Sequence, residues 1–445
     1  MEKIGFISLG CSKNLIDTEV MLGILKKRRM EITEDLAVAD VIIVNTCTFI
    51  EKAKEESIRT ILDAARYKTE GNCRILIVTG CLSQQYKEQL LEEMPEIDAL
   101  LGTGSWDRVG EAIDEVRRGR KACYMDDVSH LYDETMSRVR TTPGYSAYVK
   151  IAEGCNNGCT FCIIPHVRGG LCSRPVSSVV AEVQQLARDG VKEINLIAQD
   201  TTSYGVDLAG HSLLPELLRQ LVKIEGIRWI RLFYLYPHYF TDELMELIVE
   251  EDKICPYVDL PLQHIAPTVL KRMNRRDTKE DVVALVKKLC AHGRRLTLRS
   301  TFIVGFPGET EAEFNELCDF VRESKFDDVG VFTYSQEEGT PAALMADQVP
   351  EEIKEERYHI LMSIQAKVSE ERNQEMEGTI HPFLVERIEE EAGRRQAVGR
   401  IDVQAPDVDG LTYLEDAGTA VPGDMLPVRI SQGFAYDLVA ERLDD

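Results

Sequence analysis

The sequence predicts an α/β protein in three parts: an open parallel α/β domain, a central partial barrel of six strand–helix units, and a small C-terminal antiparallel β-barrel. In the first two parts, apolar strand-like runs alternate with helical patterns, which is typical of parallel sheets covered by helices. In the third part, short strands are separated by Gly, Pro and Asp, which is typical of a small β-barrel. We therefore place the first domain at residues 1–125, a linker at 126–142, the partial barrel at 143–376 and the last domain at 378–445.

Length, charge and cysteine content limit the class of protein. The 445 residues carry a net charge of −24, which argues against a non-specific nucleic-acid binder because phosphate affinity comes mostly from Lys and Arg. The first residues, Met1 to Phe6, are too soon mixed with polar residues to predict a signal peptide, and no run of about 18 apolar residues occurs. We therefore expect a cytoplasmic protein with no membrane partner. In a reducing cytoplasm, twelve cysteines indicate metal or redox chemistry before they indicate disulfides.

Three cysteines follow the first three predicted strands of the N-terminal domain. The strands are predicted at residues 4–9, 41–44, 75–78 and, more weakly, 99–101. Cys11, Cys47 and Cys81 come directly after the first three strands, and the carboxyl ends of parallel strands open on the same side of a sheet. Incidental thiols are the alternative, but the repeated placement favours a metal site with three thiolates and no fourth ligand in the sequence. The other six cysteines share no pattern, and we interpret them as ordinary thiols.

Six strand–helix units make up the central part. Their strands are predicted at residues 148–152, 193–198, 229–235, 257–260, 296–304 and 328–334. Units of this kind form a complete or partial barrel whose active site lies at the carboxyl ends of the strands. The loop after the first of these strands carries three more cysteines, so its position agrees with that rule.

That loop places Cys155, Cys159 and Cys162 in a Cys-x3-Cys-x2-Cys pattern between glycines. Thiolates this close together suit a soft metal. A cubane iron–sulfur cluster with three protein ligands leaves one iron open to another molecule. Zinc is the competing metal, although structural zinc normally needs four ligands. Three incidental thiols are the remaining alternative.

The C-terminal part is acidic. Its strands are predicted at residues 381–388, 396–401, 411–414, 425–430 and 435–440. Residues 379–445 include 14 acidic and 6 basic side chains, a net charge of −8. Small barrels of this type often bind oligonucleotides, but an acidic one is better suited to a basic protein surface.

The central cysteine loop resembles the signature of the radical S-adenosylmethionine (SAM) enzymes, including the aromatic Phe161 before the last cysteine. The resemblance covers nearly the whole chain. Cys11, Cys47 and Cys81 in a preceding α/β domain, and a TRAM-like β-barrel after the radical SAM domain, are similar to the methylthiotransferase family. This resemblance implies two 4Fe–4S clusters, one for each group of three cysteines.

The methylthiotransferase family has two main branches. One modifies an adenosine of transfer RNA, and the other modifies an aspartate of the small-subunit ribosomal protein uS12. Residues 9–14, 151–155, 198–202 and 234–237 resemble the second branch. The transfer-RNA branch typically carries a Gly-Gln-Asn turn where this chain has Ala198-Gln199-Asp200. The acidic barrel also favours the second branch, since ribosomal proteins are basic.

The resemblance implies roles for individual residues. Cys155, Cys159 and Cys162 would hold the radical-generating cluster, whose open iron takes the amino and carboxylate groups of SAM. Gln199 and Asp200, at the end of the second barrel strand, would contact the methionine end of the cofactor.

Phe161 would offer its ring or its backbone to the adenine. Gly305, at the end of the fifth strand, would line the adenosine. No catalytic residue beyond the cluster ligands is expected.

The resemblance also implies the chemistry and the partners. One SAM molecule methylates a sulfur at the N-terminal cluster, and a second yields the 5′-deoxyadenosyl radical that removes hydrogen from the β-carbon of the target aspartate. The carbon radical then takes the methylthio group. The implied partners are ribosomal protein uS12, within the small ribosomal subunit, and an electron donor such as flavodoxin or ferredoxin.

Two other functions stay open at this point: methylthiolation of a transfer-RNA adenosine, and a non-catalytic iron–sulfur electron carrier. Four further features are ambiguous. His264 fits a ligand contact or a packing role, and Arg168 slightly favours a role over the cluster. The basic run at residues 271–276 is interpreted as a solvated helix end, and the helix at residues 351–375 as a solvated connector.

Overall fold

A computed structural model describes residues 1–291, 294–391 and 394–443. The predicted fold class is confirmed: a parallel sheet, a six-stranded partial barrel and a closed barrel follow one another along the chain. Residues 292 and 293 of the predicted central part, and 392, 393, 444 and 445 of the predicted C-terminal part, lie outside the described ranges. Within these ranges, no helix is long and apolar enough to span a membrane.

The N-terminal part is a six-stranded parallel sheet with helices on its faces. Its strands are β1 (Lys3–Ser8), β2 (Glu31–Thr33), β3 (Val41–Thr46), β4 (Ile75–Gly80), β5 (Ala99–Leu101) and β6 (Ala122–Tyr124). Its helices are α1 (Ser12–Lys27), α2 (Glu51–Glu70), α3 (Cys81–Tyr86), α4 (Glu88–Glu93) and α5 (Val109–Arg117). The strand order is β2-β1-β3-β4-β5-β6. Strands β3 and β4 are buried along their whole length, as their continuous apolar runs predict.

The central part is a partial barrel made of two adjoining sheets. Its strands are β7 (Ser146–Lys150), β8 (Ala152–Glu153), β9 (Cys172–Ser173), β10 (Glu193–Ile197), β11 (Trp229–Leu232), β12 (Tyr257–Asp259), β13 (Thr297–Val304) and β14 (Asp328–Thr333). Its helices are α6 (Ile164–Arg168), α7 (Val176–Arg188), α8 (Val206–Ala209), α9 (Leu214–Leu221), α10 (Asp242–Glu250), α11 (Pro267–Arg272), α12 (Lys279–Cys290), α13 (Glu311–Ser324) and α14 (Glu351–Gln374). The parallel sheets β11-β10-β7 and β12-β13-β14 meet where Leu235 donates a hydrogen bond to the Asp259 carbonyl at 2.9 Å. β8 and β9 form a separate short ribbon that leads into and out of the cysteine loop.

The C-terminal part is a closed five-stranded barrel. Its strands are β15 (Ile380–Glu391), β16 (Arg394–Ile401), β17 (Thr412–Leu414), β18 (Met425–Gly433) and β19 (Leu438–Arg442). They close in the order β15-β16-β17-β19-β18. Inward-facing apolar residues such as Phe383, Leu414 and Ile430 are fully buried, which gives this barrel a core of its own.

The predicted linker, residues 126–142, contains turns but neither helix nor strand. It is nevertheless well packed. Tyr132 is 4% exposed, and its hydroxyl lies 3.3 Å from the Glu182 carboxylate on α7. Arg138 donates to Glu19 on α1 at 2.6 Å and to Glu182 at 2.9 Å. The segment therefore ties the N-terminal sheet to the central barrel.

The end of β16 and the loop that follows it are fixed against three strands of the central barrel. Arg400 donates to Glu193 of β10 at 2.7 Å, and Arg299 of β13 lies 3.3 Å from Asp409. Tyr148 of β7 donates to Asp407 at 2.8 Å. These contacts hold residues 402–409 at a defined position beside the central barrel.

Helix α14 is not the solvated connector that its charged sequence predicts. Leu361 is fully buried, and the Gln365 amide donates to the Phe326 carbonyl at 2.9 Å. The helix covers β13 and β14, so its buried face completes the core of the second sheet.

Candidate active site

Three cysteines meet at the carboxyl edge of the N-terminal sheet. Cys11 precedes α1, Cys47 follows β3 and Cys81 is the first residue of α3, and the strands before them are neighbours in the sheet. The chain turns sharply at Gly10, whose φ is +84°, and a Cβ there would lie 2.8 Å from the Cys47 Cβ. Glycine therefore allows the Cys11 and Cys47 loops to approach each other.

The electrostatic environment of these thiols reflects their closeness. Burial raises the pKa of Cys47 to about 12, and the neighbouring Cys81 and Cys11 act in the same direction. Burial also raises the pKa of Cys81, against the effect of the Arg168 cation. Cys11 is exposed by its accessible surface, but the surrounding protein atoms still desolvate its sulfur; the Lys13 and Arg168 cations outweigh this effect, and the pKa is lowered. A metal that binds here must displace protons from Cys47 and Cys81, because the thiolate is the ligand.

The second group of cysteines lies in the loop between β8 and α6. Gly154 begins this loop with φ +72°, and a Cβ there would lie 2.1 Å from the Gly170 carbonyl oxygen. The loop therefore folds back on residues 169–170, and the Cys155 amide donates to the Gly169 carbonyl at 3.1 Å. Burial raises the pKa of Cys155 to about 11 and that of Cys162 to about 12, and in both cases the other loop cysteines contribute.

The basic run at residues 271–276 contacts this loop. Arg275 Nη1 lies 3.8 Å from the Cys159 sulfur, and Arg276 donates to the Asn156 carbonyl at 3.0 Å. The Thr160 amide donates to the Met273 carbonyl at 3.1 Å. The run lies at the end of α11, and Lys271, Asn274 and Arg276 are exposed, as interpreted, but it is not merely solvated. Its arginines bring positive charge to a loop whose thiols become negative when they bind metal.

A buried ion network lies between the two groups of cysteines. The Arg168 guanidinium, which is 1% exposed, lies 2.9 Å from the Glu153 carboxylate and 3.0 Å from that of Asp17. The Lys150 ammonium lies 2.5 Å from Asp17 and 2.7 Å from Glu153. Burial would raise the pKa of Glu153, but Arg168 and Lys150 hold it at about 2, so this carboxyl stays ionised. Two cations thus face two carboxylates without a net excess of charge.

This network extends from the N-terminal cysteines to the end of β10. Arg168 Nη2 donates to the side-chain oxygen of Asn14, and the same oxygen lies 3.8 Å from the Cys81 sulfur. On the other side, the Gln199 amide donates to Glu153. A continuous series of buried polar contacts therefore connects the end of β10 with the N-terminal cysteines.

Gln199 and Asp200, the two residues expected to contact the methionine end of SAM, differ in their hydrogen bonding. Gln199 has a buried side-chain oxygen without a hydrogen-bond partner among the described residues, which leaves an acceptor free for a ligand. Asp200 is used by the protein itself: it accepts hydrogen bonds from Asn157 at 2.8 Å, Thr202 at 2.6 Å and the Ser203 amide at 3.1 Å. Asp200 therefore shapes the turn and ties it to the cysteine loop.

The two predicted adenosine contacts also have structural roles. The Phe161 ring packs edge-to-face on Phe306, with centroids 6.4 Å apart, within a small apolar cluster. Gly305 has φ +71°, and a Cβ there would lie 2.3 Å from Cγ of Lys354. Its glycine is therefore needed for the close approach of α14, whether or not a cofactor binds nearby.

His264 is fully buried in the segment that follows β12, a strand of the β12-β13-β14 sheet. Its Nδ1 accepts a hydrogen bond from the Ala266 amide at 3.0 Å, and its Nε2 has no hydrogen-bond partner among the described residues. The nearest carboxylate oxygen, on Glu309, lies 3.9 Å away. Only one of the two ring nitrogens of His264 therefore has a hydrogen-bond partner among the described residues.

The donor set fits the iron–sulfur clusters that the resemblance implies. All six cysteines are free thiols. Within the described part of the chain, no group of three His, Cys, Asp or Glu side chains is arranged around a single metal ion. Each thiolate of a cubane cluster binds a different iron, so three thiolates can hold a cluster with one iron left open.

Sequence reasoning missed most of the network between the cysteines, namely Asn14, Asp17, Lys150 and Glu153. A partial signal was present, because Asp17 and Glu19 interrupt an otherwise apolar stretch of α1 and Lys150 interrupts the apolar β7. Charged residues in buried elements indicate paired partners. Which elements pair could not be predicted, because the contacts join residues more than 130 positions apart.

Three family models match successive parts of the chain. The model described as "Uncharacterized protein family UPF0004" matches residues 3–102. The Radical SAM superfamily model matches residues 149–321, and the TRAM domain model matches residues 378–443. The matched segments contain strands β1–β5 of the N-terminal sheet, the central cysteine loop and the closed barrel.

Curated relatives are similar over the whole length. The chain is 52% identical to the ribosomal protein uS12 methylthiotransferase RimO of Syntrophotalea carbinolica, over 100% of this chain and 97% of the relative. It is 51% identical to the protein of the same name from Geobacter sulfurreducens, over 99% of this chain and 98% of the relative.

A solved structure shares the fold at low identity. The radical SAM methyltransferase TsrM from Kitasatospora setae, solved with cobalamin and a [4Fe-4S] cluster, superimposes with a TM-score of 0.56 and 18% identity. The match covers 77% of each chain. This likeness supports the fold and nothing further.

Proposed function

The chain belongs to the ribosomal protein uS12 methylthiotransferase family, and from this premise we propose that it adds a methylthio group to the β-carbon of an aspartate of uS12. It is a radical SAM enzyme. We propose that it uses two 4Fe–4S clusters and two SAM molecules. The observation that carries this proposal is the series of buried contacts from Cys81 through Asn14, Arg168 and Glu153 to Gln199. The next residue, Asp200, accepts a hydrogen bond from Asn157 of the central cysteine loop, so the series runs from one group of cysteines to the neighbourhood of the other.

In this proposal each group of cysteines holds one cluster. Cys11, Cys47 and Cys81 hold the first, and Cys155, Cys159 and Cys162 hold the second. When bound, the second cluster and SAM supply the one-electron chemistry that removes hydrogen from an unactivated carbon, and the first cluster supplies the sulfur. Gln199 offers its free side-chain oxygen to the SAM ammonium.

The residues of the ion network hold the N-terminal part and the central barrel in a fixed relative position. Arg168, Lys150, Asp17 and Glu153 are nearly inaccessible to water and fix the helix α1 against the end of the central barrel. A reactive carbon intermediate must be kept from water and held within reach of the sulfur. A network with balanced charge provides this rigidity without leaving an unpaired ion in the interior.

The C-terminal barrel supports a protein target over an RNA target. Its net charge of −8 repels phosphates and attracts a basic ribosomal protein. We propose that the target is met within the small ribosomal subunit and that a flavodoxin or ferredoxin supplies electrons. The electron-carrier alternative disagrees with the family to which the chain belongs.

The test is mass spectrometry on a strain lacking this gene and on the same strain complemented with it. We expect uS12 to lose the mass of one methylthio group in the deletion strain and to regain it on complementation. Transfer-RNA nucleosides from the same cultures serve as the second readout. Loss of a methylthio-adenosine with uS12 unchanged would overturn the proposal in favour of the transfer-RNA branch.

A further inference from the structure

Two runs of basic residues lie at the ends of helices α1 and α5. Residues 26–29 are Lys-Lys-Arg-Arg, and residues 117–121 are Arg-Arg-Gly-Arg-Lys. All eight basic side chains are exposed. Neither run contains an acidic residue, although the whole chain has 76 acidic and 52 basic residues. The two runs therefore oppose the overall charge of the protein.

The fold brings the two runs together. Arg28 donates to the Gly110 carbonyl of α5 at 2.8 Å and to the Asp114 carboxylate at 2.9 Å. Arg117 lies 3.2 Å from the same carboxylate and also pairs with Glu2. Each of the two helices leads into a strand of the parallel sheet, so both runs lie at the amino edge of that sheet. We call their eight basic residues the basic surface.

The preference of helix ends for cations does not explain the whole basic surface. Cations in the last turn of a helix interact favourably with its negative end, which accounts for the basic residues in the last turns of α1 and α5. Three others lie beyond both helices, where this effect is absent: Arg29, Arg120 and Lys121. The basic surface is thus larger than the helix ends require.

Ion pairs neutralise only part of the basic surface. In the described part of the chain, four of its arginines pair with three carboxylates, those of Glu2, Asp114 and Glu115. The four side chains that form no ion pair among the described residues are those of Lys26, Lys27, Arg29 and Lys121. Even when Glu31 of the adjoining β2 is counted as a fourth carboxylate, eight cations leave an excess of four positive charges. The rest of a chain with a net charge of −24 then carries −28.

We propose that the basic surface binds the phosphate backbone of ribosomal RNA in the small subunit. This inference rests on the proposed function, in which the target is met within that subunit. Affinity for RNA phosphates comes mostly from Lys and Arg, and arginine binds phosphate oxygens through two parallel hydrogen bonds. The basic surface holds the amino edge of the sheet on RNA, and the cysteines at the opposite, carboxyl edge face the protein target.

An acidic protein such as the electron donor fits this surface less well. The two runs contain no apolar side chain, whereas protein interfaces are centred on buried apolar or aromatic residues. The surface is also far from the cysteines. Helix α1 has 16 residues and separates Cys11 from the first run by about 24 Å. A protein that delivers electrons must approach the cysteines more closely.

The test compares two variants that each lose three cations. The surface variant combines Lys26→Gln, Lys27→Gln and Arg29→Gln. None of these side chains forms an ion pair among the described residues, so no carboxylate there loses its partner. The control variant removes three exposed cations from other helices or helix ends: Arg59→Gln, Lys223→Gln and Lys367→Gln. Both variants change the net charge by the same amount.

Binding of each reconstituted protein to purified small ribosomal subunits is measured by fluorescence anisotropy over a series of salt concentrations. We expect the surface variant to bind about tenfold or more weakly than the wild type at about 0.15 M salt. The slope of log K against log salt is expected to fall by about two to three. The control variant is expected to keep the wild-type slope. Small-subunit RNA freed of protein should give the same order.

The outcomes separate the RNA surface from the proposed function. Equal binding of the subunits by the surface and control variants would overturn this inference. Equal binding of the protein-free RNA would overturn it as well, because the partner would then be a protein of the subunit. Slower reduction of the surface variant by reduced flavodoxin, with subunit binding unchanged, would assign the surface to the electron donor instead. A wild type that binds the subunits without changing the mass of uS12 would overturn the proposed function alone.

Discussion

Arg168 donates a hydrogen bond to the side-chain oxygen of Asn14, so a residue beside the central cysteine loop contacts the N-terminal cysteine site directly. The same guanidinium lies 2.9 Å from Glu153, which in turn accepts from Gln199. The two sites therefore share one buried cation. We conclude that their relative position is set by the fold before any cofactor or target binds.

Removal of Arg168 is expected to destabilise the protein strongly. Arg168→Met leaves the buried carboxylates of Asp17 and Glu153 with one cation fewer, and breaking a buried ion network costs about 3–5 kcal/mol. The midpoint of urea unfolding measures the loss. Arg118→Met is the control, because its ion pair with Glu115 is on the surface and is expected to contribute less than about 1 kcal/mol. Equal midpoints for the two variants would contradict the role of the network.

Glu193 makes stability depend on pH in a defined window. Burial would raise its pKa, but Arg400 and the Ser146 hydroxyl help to hold it at about 2, below the value of 4.5 of a free side chain. A lowered pKa stabilises the fold above pH 4.5, and this contribution is lost as pH falls towards 2. We expect Glu193→Gln to be less stable at neutral pH and to lose stability less steeply between these values, by about 3 kcal/mol in total. Equal slopes in urea titrations of both proteins would refute this.

Gly154 is expected to be essential for the second cluster and dispensable for the first. Gly154→Ala would place a Cβ against the Gly170 carbonyl, which is backbone and cannot move away. We expect the reconstituted variant to hold about four irons where the wild type holds about eight. Gly190→Ala is the control: Gly190 has φ +89° with open space around it, so the substitution adds backbone strain alone. If Gly154→Ala kept all its iron, the folded-back loop would not be needed for metal binding.

The N-terminal thiols are expected to hold a separate cluster. A variant with Cys11, Cys47 and Cys81 all changed to Ala should retain about four irons of about eight after anaerobic reconstitution. Cys73→Ala is the control, since Cys73 is buried before β4, at the opposite edge of the sheet. Iron and sulfide analysis gives the answer. A wild type with about four irons, or a triple variant with about eight, would show that these cysteines hold no cluster.

The periodicity of the sequence was sufficient for the three-part fold, because long apolar runs such as those of β3 and β4 have few alternative structures. Short elements were missed. β2 and β6 have three residues each and lie at the edges of the sheet, where no continuous apolar run is needed. The burial of α14 was also missed, since its buried face includes polar residues such as Gln365 that bond to backbone carbonyls.

The N-terminal cysteine group could be predicted from its position after successive strands, because the carboxyl ends of parallel strands open on the same side of a sheet. The central group could be predicted from its spacing within one loop. Contacts between distant segments did not follow. The Lys13 ammonium lies 3.4 Å from the centroid of the Tyr234 ring, yet the two residues are more than 200 positions apart, and no local pattern relates an ammonium on α1 to a tyrosine after β11. Their relationship depends on how the sheet and the barrel pack together.

The most direct measurement is made on Cys11→Ala, reconstituted anaerobically and assayed for 5′-deoxyadenosine and for methylthio transfer to uS12 in the same reaction. Because Cys155, Cys159 and Cys162 are intact, we expect SAM cleavage to continue while methylthio transfer is lost. A variant that still transfers the methylthio group at the wild-type rate would contradict the division of work between the two sites. So would a variant that loses SAM cleavage as well, although its second cluster is shown to be present by its spectrum.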